Sequence, residues 1–310
     1  MNKIKLNSIS LNGNSLNKMG EGAGKGIVMD GILAVYDVTS TENPTQIISP
    51  TFAVVYVKSM TIDGVDITPA QQYKFNSIGK HYANIVLHDN LTSLYYIFNE
   101  CRNLLSVKFY RVDLSNCKNM YGLFNNCTSL VSADLRNLDT SNVIEIGNMF
   151  AGCTSLVSAD LRNLDTSNVI GMSGLFSSCL IIKRVNLSSF DTSKNASLNN
   201  FFNHCYKLDD VDLSNFDVGN VVDFNYAINQ CYELKKFNPF KNWKKSNFSL
   251  FDSAVAPIAV HQLIERSASV ADGAEQRTLT LHATTKSNWM ASEYYDADVV
   301  MANEELITIA

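Results

Sequence analysis

Residues Cys127–Ile144 read CTSLVSADLRNLDTSNVI, and residues Cys153–Ile170 repeat those eighteen letters without change. The offset is 26 residues, and it holds well outside the identical stretch. Cys101, Cys127, Cys153, Cys179, Cys205 and Cys231 stand 26 apart. Phe98, Phe124, Phe150, Phe176 and Phe202, then Ile228, precede them by three positions. Leu104, Leu130, Leu156, Ile182, Leu208 and Leu234 follow them by three. Asp113, Asp139, Asp165, Asp191 and Asp217 keep the same phase. A fixed period of this length is the signature of a solenoid, in which one repeat cannot bury its own apolar face and stacking supplies the core.

Within one period, Val143, Ile146, Met149, Phe150 and Cys153 have the spacing of one face of a short helix, with Ser141 and Asn142 before it as N-caps. Leu156, Ala159 and Leu161 follow an L-x-x-L-x-L strand pattern, with Ser158 and Asp160 pointing outward. The Asp165–Asn168 segment, D-T-S-N, turns the chain back. The predicted class is therefore an α/β leucine-rich-repeat solenoid, with one short strand and one short helix per coil.

Equivalent residues of neighbouring coils should lie about 5 Å apart, the strand spacing. The cysteines then form an internal column of small buried hydrophobes. Disulfides or metal ligation are disfavoured, because every thiol has the same orientation and no Cys-x-x-Cys or His–Cys pairing is present. Cys117, off the column, takes the slot of Val143, Val169 and Val221. The Asp column suits turn chemistry, a carboxylate accepting local backbone N–H groups. A calcium ladder would need Gly-rich nonapeptide turns.

Met120–Leu130 and Asn186–Ser193 carry the pattern M-x-x-[ML]-F-x-x-C-x-x-L followed by L-x-x-F-D-T-S. The region from Leu91 to Phe240 resembles the BspA-type leucine-rich repeat of bacterial surface proteins, which also occurs in phage and prophage proteins of gut Bacteroidetes. The resemblance implies attachment, that is, surface adhesion and binding of a host surface protein or glycan. The N-terminus, MNKIKLNSISLNGNS, has no apolar core of a signal peptide, so the expected setting is a virion surface or fibre. A bacterial cell-surface adhesin exported by a non-classical route is the alternative.

The flanks read differently. Residues 1–32 form a polar arm whose glycine run, Gly20–Gly26, fails the phosphate-loop spacing and reads as a linker able to dock on other virion subunits. Residues 33–88 read as a small β domain, Ig-like, with strands at Leu33–Tyr36, Phe52–Val57, Met60–Val65 and His81–Leu87 and a turn at Asp63-Gly64. Residues 89–240 are the repeats. Residues 241–310 read as a capping region, with helices near Pro257–Ile264 and Asn288–Glu304 and strands at Thr278–Ala283 and Leu306–Ile309.

Composition narrows the function classes. The 310 residues are 46% hydrophobic and 18% charged, with a net charge of −5, so a core-forming chain without a nucleic-acid footprint is expected. No run is long enough to span a membrane. His81, His88, His204, His261 and His282 make no zinc-hydrolase spacing, no G-x-S-x-G occurs, and Cys205 beside His204 belongs to the buried column. No enzyme, metal or cofactor is expected. The residues that break the repeat are the informative ones. Tyr206 and Tyr232 replace the Thr of earlier coils, with Tyr226 nearby. Arg184, Asp210, Asp212 and Lys236 vary on the strand face. Exposed tyrosine with charged and polar neighbours suits recognition, and these seven are the candidate ligand-binding residues. A homo-oligomer, a trimer as in many fibres, is the expected assembly.

Overall fold

The structure, a computed structural model, describes residues 30–243, residue 290 and the strands Phe248–Leu250, Arg277–Leu281 and Ile307–Ile309. The glycine-rich arm and, apart from residue 290, both C-terminal helices expected from the sequence lie outside the described residues. In chain order the strands are β1 (Gly31–Val38), β2 (Thr45–Gln46), β3 (Val57–Ile62), β4 (Val65–Ile67), β5 (Gln72–Tyr73), β6 (Gly79–Leu87), β7 (Leu104–Tyr110), β8 (Ser132–Asp134), β9 (Asp210–Asp212), β10 (Lys236–Asn238), β11 (Phe248–Leu250), β12 (Arg277–Leu281) and β13 (Ile307–Ile309).

The coils stack with the period read from the sequence. Parallel pairing joins β7 to β8, single bridges continue through Asp134, Asp160 and Asn186, and β9 pairs with β10. A second parallel ladder runs Ser93, Asn119, Glu145, Gly171, Ser197 and Asp223. Inside, the phenylalanines form a continuous stack, with Phe98–Phe124, Phe124–Phe150, Phe150–Phe176 and Phe176–Phe202 centroids 5.8, 5.4, 5.6 and 5.4 Å apart. One core cluster extends from Ile32 to Trp243.

The α/β class is corrected. Among the described residues strand accounts for 27% and helix for 2%, and residues 89–240 contain no helix, so the described structure is mainly β. The segment expected to be helical is a run of tight turns. In the third coil the amides of Met149, Ala151 and Cys153 donate to the carbonyls three residues back. The alternate amides, those of Ile146, Asn148, Phe150 and Gly152, donate to Gly171, Ser173, Leu175 and Ser177 of the next coil at 2.7–3.0 Å. Half of the donors an α-helix would use internally are therefore used between coils. The geometry needs two left-handed residues per coil, Asn148 (φ 52°) and Gly152 (φ 72°) in this one. Asn and Gly adopt that region at least cost. The apolar face is buried all the same, because successive turns present the same residues inward as a helix would. The expected N-cap role of Asn142 is also replaced: its amide donates to Ser115 O of the preceding coil at 2.8 Å.

Each letter of D-T-S-N has a bond. Asp139 and Asp165 Oδ1 accept the Ser141 and Ser167 N–H groups at 3.0 and 2.9 Å. The buried Thr140 hydroxyl donates to Asp165 O and accepts from Asp165 N in the next coil. Asn168, like Asn142, reaches back one coil. The column cysteines are free and buried. From Cys127 on, each column thiol donates to a Phe carbonyl of the coil before: Cys127 to Phe98 O at 2.9 Å, Cys153, Cys179 and Cys205 to Phe124, Phe150 and Phe176 at 3.1 Å, and Cys231 to Phe202 at 3.2 Å. Burial pushes these thiols up from their ordinary pKa.

N-terminal to the coils, β4, β3, β6 and β1 form one sheet that β7 and β8 continue. An Ig-like domain would be a sandwich of two packed sheets; here β1 pairs antiparallel with β7 of the first coil and so closes its edge. Phe52–Val57, expected as a strand, instead contains the short 3-10 turn Val54–Tyr56. Asp63 and Gly64, both with positive φ, make the two-residue turn of the β3–β4 hairpin, as such turns require. His81 locks this hairpin: Nδ1 lies 2.6 Å from Asp63 Oδ2 and Nε2 2.9 Å from Ser77 O. Beyond the coils, β11, β12 and β13 form a parallel sheet. Phe248 is in register with Leu279 and Leu279 with Ile309, spacings longer than the 26-residue period.

Candidate functional site

The strand face carries three outward columns, and their side chains decide its relief. One column runs Arg136, Arg162, Ser188, Ser214. The next runs Asp134, Asp160, Asn186, Asp212, and the third Ser132, Ser158, Arg184, Asp210, Lys236. In the second and third coils the columns close on themselves. Arg136 grips Asp134 with two bonds, Nε to Oδ1 at 2.9 Å and Nη2 to Oδ2 at 2.8 Å. Arg162 grips Asp160 with the same two distances. The guanidinium holds the Asp134 carboxyl down at about 2, and the Asp160 carboxyl is lowered for the same reason.

At Ser188 the arginine column stops. Two short serines succeed two long arginines, and the surface drops into an open groove of about 630 Å³ lined by Asp160, Arg162, Arg184, Asp210, Asp212 and Ser188, among others. Arg184 Nε is 3.1 Å from Asp209 Oδ1 and 4.0 Å from Asp210 Oδ2. Asp212 Oδ1 accepts the Ser214 N–H at 2.9 Å. The groove thus presents cations and carboxylates side by side, Arg162 with Asp160 and Arg184 with Asp210, and its lining includes the apolar Ala159 and Leu187.

The seven candidate residues fall into three places. Arg184, Asp210 and Asp212 line the groove together. Lys236 lies exposed on β10, directly across from Asp210. Tyr206 and Tyr232 stack on each other, centroids 5.3 Å apart and planes at 29°, with His204 edge-on to Tyr206 at 5.9 Å. They sit on the bend that precedes the strand, beside the Lys207–Glu233 ion pair. Tyr226 is apart from both groups, 59% exposed and in the left-handed region (φ 57°) on the turn side of the coil. Arg162 and Ser188 were not among the candidates. Their signal was the interrupted column Arg136, Arg162, Ser188, Ser214, visible once the period is written out.

Among the described residues, no group of three or more His, Cys, Asp or Glu side chains is arranged to hold a metal ion. Nor is any helix among them long and apolar enough to cross a membrane. A row of exposed aliphatic residues, Ile144, Ile170 and Val222, marks another edge of the stack.

Fold and site together define a mainly β solenoid of 26-residue coils with an open groove of mixed charge on its strand face. The family model described as "Mycoplasma protein of unknown function, DUF285" matches residues 92–185 and again 158–259, together more than half of the chain, and the chain belongs to that family. No curated protein and no solved structure matches it.

Proposed function

We propose that the protein is a non-enzymatic attachment module that binds a host surface protein or glycan through its solenoid, as part of a virion surface or fibre. The observation that carries this reading is the groove at Ser188. The rest of the repeat is held by ladders of backbone, Thr, Asn and Cys bonds that are alike from coil to coil. Several of the outward residues that depart from the pattern, Arg184, Ser188 and Asp210 among them, gather around one concavity with both charge signs and apolar residues in its lining, the composition of a recognition site. The resemblance to BspA-type surface repeats supports attachment in particular.

The groove reading predicts that Ser188→Trp, which fills the concavity, and Arg184→Glu, which reverses one of its cations, each lower binding of the purified protein to host cells by tenfold or more. Tyr206→Ala and Tyr232→Ala test the adjoining ring stack in the same assay. Unchanged binding by well-folded Ser188→Trp and Arg184→Glu proteins would remove the groove from the reading.

A second setting has its own support: the matching family is described from Mycoplasma, a bacterium, and the repeats resemble those of bacterial surface proteins, which together favour a bacterial surface. Fractionation separates the two. Recovery with purified particles fits the virion setting, and recovery only in the cell envelope overturns it.

A further inference from the structure

The sheet at the N-terminal end of the stack has a free edge. Its strand order is β4-β3-β6-β1-β7-β8, and β4 pairs with β3 alone, Met60 with Ile67, Thr61 with Asp66 and Ile62 with Val65. Directly opposed residues point to the same face of a sheet. Met60 and Ile62 are buried, so Val65 and Ile67 point to the core side and Asp66 points away from it. The core does not reach Val65, which is 64% exposed, and Ile67 is only partly buried. The two-residue turn at Asp63-Gly64 makes Ile62 and Val65 the bonded closing pair, so by alternation the N–H and C=O of Asp66 face away from β3. Asp63 holds the hairpin in this pose, lying 2.6 Å from His81 Nδ1 and accepting the Tyr82 N–H at 2.9 Å. β4 thus offers a preformed edge: a backbone donor and acceptor, two apolar side chains on one face and a carboxylate on the other. No other described residue forms an ion pair with Asp66.

An open edge of this kind recruits a further strand, and the chain itself carries a segment of matching pattern. Ile4-Lys5-Leu6, in the arm before β1, is apolar, basic, apolar where Val65-Asp66-Ile67 is apolar, acidic, apolar. Laid beside β4 as a strand, it would turn Ile4 and Leu6 to the core side, against Val65 and Ile67, and Lys5 to the side of Asp66. The distance to be covered is short. Ile32 pairs with Ile85, Ile85 with Met60 and Met60 with Ile67, so the start of β1 lies three strand spacings from Ile67, about 14 Å. About five extended residues cover that distance, and residues 7–30 are there to do so. A segment tethered this closely acts at an effective concentration on the order of millimolar, which favours the arm of the same chain over that of a neighbour. Self-pairing of β4 between two copies would instead set the two Asp66 carboxylates against each other.

We propose that Ile4-Lys5-Leu6 adds to β4 of its own chain as the outermost strand of the N-terminal sheet, covering Val65 and pairing Lys5 with Asp66. The edge is then closed to other chains, and any subunit that captures the arm must first displace it from β4. The proposal holds or fails independently of the groove at Ser188.

The test is amide hydrogen exchange of the full chain, read residue by residue by NMR. The Val65 and Ile67 amides face β3 and serve as controls, reporting that the hairpin is intact. The Asp66 amide should exchange at least about tenfold more slowly than in Ile4→Asp/Leu6→Asp, with the controls unchanged. Lys5→Glu and Asp66→Lys should each lower the protection at residue 66 about threefold, and the two together should restore it. Equal exchange at Asp66 in the unaltered chain and in Ile4→Asp/Leu6→Asp overturns the proposal. So does protection that falls on dilution, the mark of a second copy, or a charge exchange that fails to restore what each single change removed.

Discussion

Replacing Phe150 by Ala tests the stacked interior most directly. The ring is fully buried and lies between Phe124 at 5.4 Å and Phe176 at 5.6 Å. Truncating a buried Phe costs about 3–5 kcal/mol, and two lost ring pairs at roughly 0.5–1.5 kcal/mol each put the sum near 4–8 kcal/mol. Phe150→Leu retains most of the volume and should cost about 1–3 kcal/mol. The loss falls on two coil interfaces at once, and in a stacked array stability is a sum of coil and nearest-neighbour terms. The far end need not share it. Trp243, buried at that end beside Phe240, reports there once Trp289→Phe removes the other tryptophan. Guanidinium unfolding followed by far-ultraviolet circular dichroism should show a lowered, broadened transition, with the Trp243 fluorescence transition moving less. A loss below about 1 kcal/mol for Phe150→Ala would refute the stacked-ring core.

Four further outcomes follow from the same ladders. Asn195 occupies the column of Val143, Val169 and Val221, fully buried with Oδ1 unpartnered; Asn195→Val should raise stability by about 1–2 kcal/mol in urea unfolding, and a loss would show that its weak bond to Ile170 O matters more. Thr166→Val removes both the donor to Asp191 O at 3.0 Å and the acceptor of Asp191 N at 2.8 Å and should cost about 1–3 kcal/mol, read by calorimetry; Thr166→Ser should cost much less. The carboxyls of Asp139 and Asp165 are lowered by the hydroxyl and N–H bonds of Ser141 and Ser167, and Asp134 to about 2 by Arg136. A lowered folded value gives stability that is present above the ordinary carboxylate range, about 3.9, and lost as pH falls through the folded value. The melting temperature should therefore drop between about pH 4 and pH 2, and less steeply in Asp139→Asn/Asp165→Asn. Finally, burial raises the column thiols, Cys231 to about 12, so maleimide at pH 8 should label none of the six until the chain unfolds; labelling by mass spectrometry of any one in the folded protein would contradict the column.

The pattern of the candidate site was partly legible. Arg184, Asp210 and Asp212 were picked out because they vary at outward positions of a known period, and alternation in a strand fixes which side a residue takes. That Tyr226 stands away from Tyr206 and Tyr232 was not legible, because its place depends on a left-handed backbone at that position. Ser188 gave no signal of its own. A serine matters there only because its neighbours one and two coils earlier are arginines.

Period, register and the inward set were determined by the sequence itself. Cys127 to Cys153 and Phe124 to Phe150 repeat at one spacing, and burying those residues leaves a single way to stack. What the tertiary structure alone decided is the course of the backbone between Val143 and Cys153. Apolar residues at three- and four-residue spacing satisfy a helix and a run of tight turns equally well. The difference lies in where the amides of Ile146, Asn148, Phe150 and Gly152 find their carbonyls. Those carbonyls belong to the next coil, a partner that exists only once the stack has formed, and the Asn and Gly at the left-handed positions let the chain turn to reach it.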